Sequence, residues 1–315
     1  MHPALSVIVF TTLSGAGYGL LAWLGVWAIV GSLPANRGLA AVALALSLGA
    51  ITIGLLSSTL HLGHPERAWR AFSQWRSSWL SREGVSSTAT YVPALLFALG
   101  WLGIGSTRGI WAAFAVISAA CAVATVVCTA FIYISLKPIQ RWSNGWVLPN
   151  YLALAAMTGA FWLIAAMSLF GASDNDLVIA AAACTAVAGV LKVQYWRFID
   201  RTASRSDGGT ATGLGALGRV RLFEAPHTSE NYLMKEMGFR IARKHAAKLR
   251  MIALVSAFAL PLVLTILEFL LPAALVPLCA ILAAAIATLG VLIERWLFFA
   301  EARHTVTLYY GAERA

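Results

Sequence analysis

The chain has 315 residues, of which 60% are hydrophobic and 11% charged, with a mean hydropathy of +0.78; a soluble domain carries about 25% charged residues, so a water-soluble globular protein is excluded. The formal net charge of +10 implies no nucleic-acid partner, because a multi-pass membrane chain gathers Lys and Arg on one face. The four cysteines, Cys121, Cys128, Cys184 and Cys279, form no C-x-x-C pair, so the sequence holds no zinc or iron–sulfur ligand set and no metal ligands are assigned.

About 20 helical residues cross a bilayer core of about 30 Å. On that measure the chain reads as an all-α integral membrane protein, one bundle of eight transmembrane helices over 1–315, with both termini on the same face. The expected spans, in chain order, are 8–33, 39–60, 88–104, 110–136, 147–170, 177–199, 251–271 and 273–299. The first has no basic segment before it and is too long for a signal peptide, so it is read as a retained helix. Small residues run through it, in "MHPALSVIVFTTLSGAGYG".

Between the second and third spans, residues 61–87 open with "HLGHPERAWRAFSQWRSSWLSREG". Pro65 suits the first position of a new helix, and Trp69, Phe72, Trp75 and Trp79 then recur at helical spacing as one apolar stripe, with Arg67, Arg70 and Arg76 off it. A short helix lying in the membrane interface is expected, with Glu83 at the threshold of the third span. His61 and Glu83 then approach one membrane depth on adjacent helices. A histidine there can donate to a quinone carbonyl and a carboxylate can carry a proton. A capping histidine beside a surface Glu–Arg pair accounts for the same residues.

Further along, Trp142, Asn150 and Tyr151 near the start of the fifth span either line a pocket or belong to an aromatic belt. Lys192 and Arg197 fall inside the sixth span and are expected to snorkel to the near interface. The loop 200–250 contains "GLGALG", residues 213–218, but no β run precedes it, so it reads as a glycine-rich turn and not a nucleotide site. Residues 232–249 read as a basic amphipathic helix. That helix either lies on anionic lipid or, with Arg219, Arg221, Phe223, Tyr232 and Arg243, forms a docking surface for a partner, since apolar Val220, Leu222 and Phe223 are poorly suited to water. Pro272 breaks the last long apolar run into two spans. Glu268 is placed near its outer end as a possible proton group, and Glu294 and Arg295 near the inner end of the last span, solvated or in docking.

Eight spans put both termini and the loops after spans two, four and six on one face, and only Arg37 and Arg108 of the 23 Lys and Arg residues fall on the other. By the positive-inside rule the basic face is cytoplasmic.

The pair "HLGHPERA" and "LSRE", placed between the second and third of eight spans, resembles the membrane-anchor subunit family of DMSO reductase, as does the small-residue start. The resemblance implies an integral subunit in the bacterial cytoplasmic membrane. Such a subunit holds a molybdopterin catalytic subunit and a four-cluster iron–sulfur subunit, and exchanges electrons with ubiquinone or menaquinone. It implies quinone-binding roles for His61 and Glu83, and Arg67 matches the arginine of the motif. His64 falls where the family pattern varies; it joins the candidate set only by position. The long basic loop and the "EARHTVTLYYG" ending are more similar to the anchors of cytoplasmic sulfite dehydrogenase complexes, which implies sulfite oxidation on a partner and quinone reduction here. A quinol-oxidising anchor of a DMSO, polysulfide or tetrathionate-type reductase is the alternative.

Haem b is not favoured, because none of the six histidines lies mid-span; only His304 is placed to approach His61 or His64. A secondary transporter is less favoured still, since the middles of the spans hold almost no charge and no repeat is evident.

Overall fold

The computed structural model describes residues 5–60, 62–203, 206–224, 243–310 and 312. Among the described residues, eight helices are long and apolar enough to cross a membrane: α1 (Leu5–Val30), α2 (Arg37–Thr59), α3 (Trp79–Ile104), α4 (Ile110–Ile134), α5 (Val147–Ser168), α6 (Asn175–Arg201), α7 (Ala246–Leu267) and α8 (Val276–Ala300). No strand occurs among the described residues. Every expected span is present. The all-α reading holds because a chain in lipid must satisfy its backbone internally, which a helix does within one segment.

The largest boundary difference is at α3, which starts at Trp79 and not at residue 88. Ser78 caps it, its side chain accepting from Ser81 N. Trp79 stacks on Phe131 of α4 with ring centroids 4.5 Å apart, so the first turns are anchored by packing. Arg82 stays in water-accessible space, its guanidinium over the Trp79 ring at 4.2 Å and donating to the carbonyls of Trp75 and Arg76. The charges of Arg82 and Glu83 therefore do not exclude this segment from the helix. The turn between α7 and α8 is also wider than expected, residues 268–275, with Leu275 N donating to Pro272 O at 2.8 Å. Within α7 a π-turn at Val255–Ala259 precedes Pro261; such local widening lets a helix tolerate a residue with no N–H to give.

Connections on the face away from the termini are short and individually fastened. Asn36 caps α2 by accepting from Gly38 N and Leu39 N. Asp174 caps α6 in the same way and also accepts from Trp27 Nε1 at 2.8 Å, which ties the end of α1 to the start of α6.

At the centre of the bundle, α1 packs on α2, α4, α5 and α8. Lipid tails are as apolar as leucine, so membrane helices associate through close packing over small residues. The tightest crossing is α1 on α5, where a Cβ on Gly19 would collide with the Ala155 backbone and one on Gly159 with the Gly19 backbone. Backbone cannot yield there. Gly159→Val is therefore expected to prevent docking of α5 on α1, read as loss of the monodisperse peak in detergent chromatography; a normal peak would show the crossing to be adjustable.

Between α2 and α3, Pro65–Gln74 is a 3-10 helix with no buried residue. Its aromatic stripe, Trp69, Phe72 and Trp75, is exposed, an arrangement suited to the membrane interface, where indole rings favour the headgroup level.

Candidate functional site

Glu83 lies one turn inside α3, not at its threshold, and is only 5% exposed. Its helix face meets α4, where Thr129 donates its hydroxyl proton to Glu83 Oε1. Hydroxyls continue inward along the same seam, with Ser86 Oγ 2.8 Å from Thr125 Oγ1 and Thr90 Oγ1 bonded to Ser86 O. A buried carboxylate in an apolar setting needs donors, and this seam supplies them.

Three charged residues expected to meet water or a partner do not. Lys192 is 1% exposed, Glu294 0% and Arg295 2%. Lys192 Nζ and Arg295 Nε hold the two carboxylate oxygens of Glu294 between them. Lys192 does not snorkel, because Glu294 from α8 meets it inside the bundle. Glu294 and Arg295 are neither solvated nor exposed for docking, because side chains of α5 and α6 enclose that end of α8. Aromatic faces wall the cluster: Arg295 lies 4.2 Å from the Tyr151 ring centroid and 4.9 Å from that of Phe298, and Lys192 lies 4.2 Å from Tyr195. Such desolvated cation–π contacts partly offset the cost of burying two cations. Arg197, one turn on from Lys192, is exposed as expected. The signal in the sequence is spacing: Lys192 and Tyr195 are three residues apart on one face of α6, and polar residues within spans face the bundle interior by default.

Of the sequence-derived quinone candidates, His61 lies outside the described residues. His64 and Arg67 are exposed on the 3-10 segment, and both engage Glu66, at 3.0 and 3.7 Å. Glu83 is therefore the described candidate that reaches the interior. Tyr151 is buried against Arg295, Asn150 Nδ2 bonds back to Trp146 O, and Trp142 Nε1 donates to Phe298 O; all three pack inside and not as an outer belt.

On the basic face, Arg219, Arg221 and Phe223 are exposed, and Tyr232 lies outside the described residues. Arg243 is not an outward-facing docking residue. Its guanidinium donates to Ala300 O at 3.2 Å and Ala302 O at 2.7 Å, closing the open carbonyls at the end of α8. Burial, then the neighbouring Arg141 and Arg303, push it down to about 10. The glycine motif 213–218 follows a short helix, Gly208–Thr212, and contains the 3-10 turn Gly215–Leu217, a turn and not a strand–helix junction.

His304 packs edge-on against Trp142, with centroids 5.5 Å apart; burial and then the Arg243 charge hold its imidazole below the ordinary histidine range. His64 and His304 thus have different partners. Glu268, in the turn after α7, has Oε1 unpartnered, and burial pushes its carboxyl up to about 7.

Comparison with known proteins adds two findings. The family model described as DMSO reductase anchor subunit (DmsC) matches residues 1–312. The chain is also similar to the C subunit of sulfite dehydrogenase from Allochromatium vinosum, with 35% identity over 330 residues, 98% of this chain and 99% of that protein.

Proposed function

The chain belongs to the DMSO reductase anchor subunit family and is the membrane anchor subunit of a molybdoenzyme complex; from that premise we propose that it receives electrons from sulfite oxidised on a partner and passes them to quinone in the bilayer. The observation that carries the quinone role is Glu83, a buried carboxylate one turn from the basic end of α3 with a hydroxyl donor on α4. A quinone taking two electrons also takes two protons, and a carboxylate at the edge of the hydrocarbon can deliver protons that lipid cannot. His61, which the sequence motif pairs with Glu83, is the partner for the other side of the headgroup. The named relative supports sulfite as the substrate of the complex.

In this reading the membrane is the bacterial cytoplasmic membrane and the basic face is cytoplasmic. The molybdopterin subunit and a four-cluster iron–sulfur subunit dock on that face, with exposed Phe223 as an apolar anchor beside Arg219 and Arg221 in the sequence. Molybdenum and iron–sulfur chemistry stay on those partners.

The test is to tag the chain in its host, solubilise the membranes gently and assay what co-purifies. Molybdenum, iron and sulfite-dependent quinone reduction in the same peak are expected, with partners that carry no export signal. An exported catalytic partner would reverse the docking face, and a complex that reduces no quinone would remove the electron-transfer role.

A further inference from the structure

Behind Glu83, toward the middle of the bundle, residues of α1, α4, α5 and α8 line a cavity of about 20 Å³ whose wall includes Thr12, Tyr18, Thr129, Tyr151 and Arg295. It is large enough for a water and far too small for a quinone ring. Four atoms of these residues make no hydrogen bond of good geometry, Thr12 Oγ1, Tyr18 OH, Tyr151 OH and Arg295 Nη2, although Tyr18 lies beside Ser87 and Thr125 and Tyr151 beside Arg295. Each belongs to a side chain more than nine-tenths buried. Buried polar groups this poorly satisfied, on residues that line one space, are costly to leave dry, and polar cavities of this size can hold an ordered water.

The cavity also has two ends. At one, Thr129 stands on the wall while its hydroxyl bonds Glu83. At the other, Arg295 leads through Glu294 to Lys192. Along α8 a further carboxylate, Glu301, follows Glu294 by seven residues, two turns on and on the same face. Glu301 Oε2 is unpartnered, and its Oε1 is held by Arg250, which also holds Asp200 at the exposed end of α6. Polar groups thus run from the basic face, behind the bundle's aromatic wall, to Glu83.

We propose that this cavity holds ordered water joining Glu83 to the Lys192–Glu294–Arg295 cluster, and that the line is a proton relay serving Glu83. The proposal rests on the reading of Glu83 as the quinone-side carboxyl. Reduction of one quinone to quinol takes two electrons, which the partner subunit supplies, and two protons. Each proton Glu83 gives up is replaced by one passed along the line. Every hydroxyl, water or carboxylate in it accepts one proton and releases another while Lys192 keeps its own, so only O–H bonds break and form and no further reagent is consumed. Arg295 keeps its proton throughout; its charge orients the water and fixes Glu294.

The experiment uses the assembled complex with Tyr18→Phe/Tyr151→Phe and, separately, Thr12→Val, which remove hydroxyls and keep shape. Expected for the double variant is about a tenfold fall in kcat for quinone reduction, an unchanged KM for quinone and a larger solvent isotope effect, with the partner's clusters still reduced by substrate. Thr12→Val, which removes one hydroxyl and not two, should show a smaller fall of the same kind. Wild-type kcat and isotope effect, alongside a crippled Glu83→Gln complex, would overturn the relay and leave the quinone site standing. Normal turnover of Glu83→Gln would instead remove the quinone-site reading. A raised KM with unchanged kcat would make these hydroxyls a binding surface and overturn the relay. If the variants do not assemble, a cryo-EM map of the wild-type complex that resolves water decides: density bonded to Tyr151 OH and Arg295 Nη2 supports the relay, and a dry cavity overturns it.

Discussion

Glu294→Gln is expected to cost the bundle about 3–5 kcal/mol, the range for removing one partner from a buried ion pair. Lys192 and Arg295 would then face one another with no anion between them, both enclosed and neither able to reach bulk solvent. The cluster carries two cations and one anion, a formal +1; the substitution makes it +2. Adding Lys192→Met to Glu294→Gln returns the count to +1 and fills the space with a flexible apolar chain. The double variant should therefore be more stable than Glu294→Gln alone, although it carries one more change. Denaturation of the purified protein in mixed micelles measures both, and the cycle isolates the pairwise coupling. If Glu294→Gln unfolds where the wild type does and Lys192→Met rescues nothing, the cluster is not holding α6 to α8.

How far the sequence foretells this molecule depends on which physical signal each residue carries. Span number follows from uncharged runs, since every uncompensated charge in lipid is costly. The same reasoning misplaces the start of α3: it puts Arg82 and Glu83 in a loop, yet one reaches out along Trp79 and the other turns in toward Thr129. Charge alone does not say which way a helical side chain faces. Lys192 departs from expectation for a related reason. Snorkelling is available to any lysine near a helix end, and it yields only where a carboxylate from another helix lies closer than water. Glu294 sits on α8, far along the chain from α6, so no local pattern joins the two. The interior cavity is the least legible feature. Thr12, Tyr18, Tyr151 and Arg295 come from three helices, and their convergence is set by the Gly19–Gly159 crossing, which brings α1 and α5 close enough to aim them at one space. The family motif reaches Glu83 from the sequence, but not the hydroxyl seam behind it.

Glu83→Gln is expected to lower quinone reduction about 10²-fold, the lower end of what a positioned acid or base contributes, while leaving the complex assembled. Glutamine keeps the length of the side chain and an oxygen to accept from Thr129, so packing between α3 and α4 is retained; it loses only the capacity to carry a proton. Glu83→Asp retains that capacity on a shorter arm and should fall between the two. Thr129→Val supplies the complementary case. It preserves the carboxyl but withdraws the hydroxyl that fixes it, so it should slow turnover less than Glu83→Gln, and most of that loss should be in kcat. The readouts are steady-state quinone reduction and, in the same sample, reduction of the partner's iron–sulfur clusters by substrate in the absence of quinone. Clusters that fill with electrons at the normal rate but do not empty into quinone place the defect at Glu83. Clusters that no longer fill place it at docking, and then the effect of Glu83 is on the shape of the basic face. The order Glu83→Gln below Thr129→Val below wild type is required if the carboxyl is the group that moves the proton; the reverse order of the two variants assigns that task to the hydroxyl seam and leaves Glu83 as a buried structural acceptor.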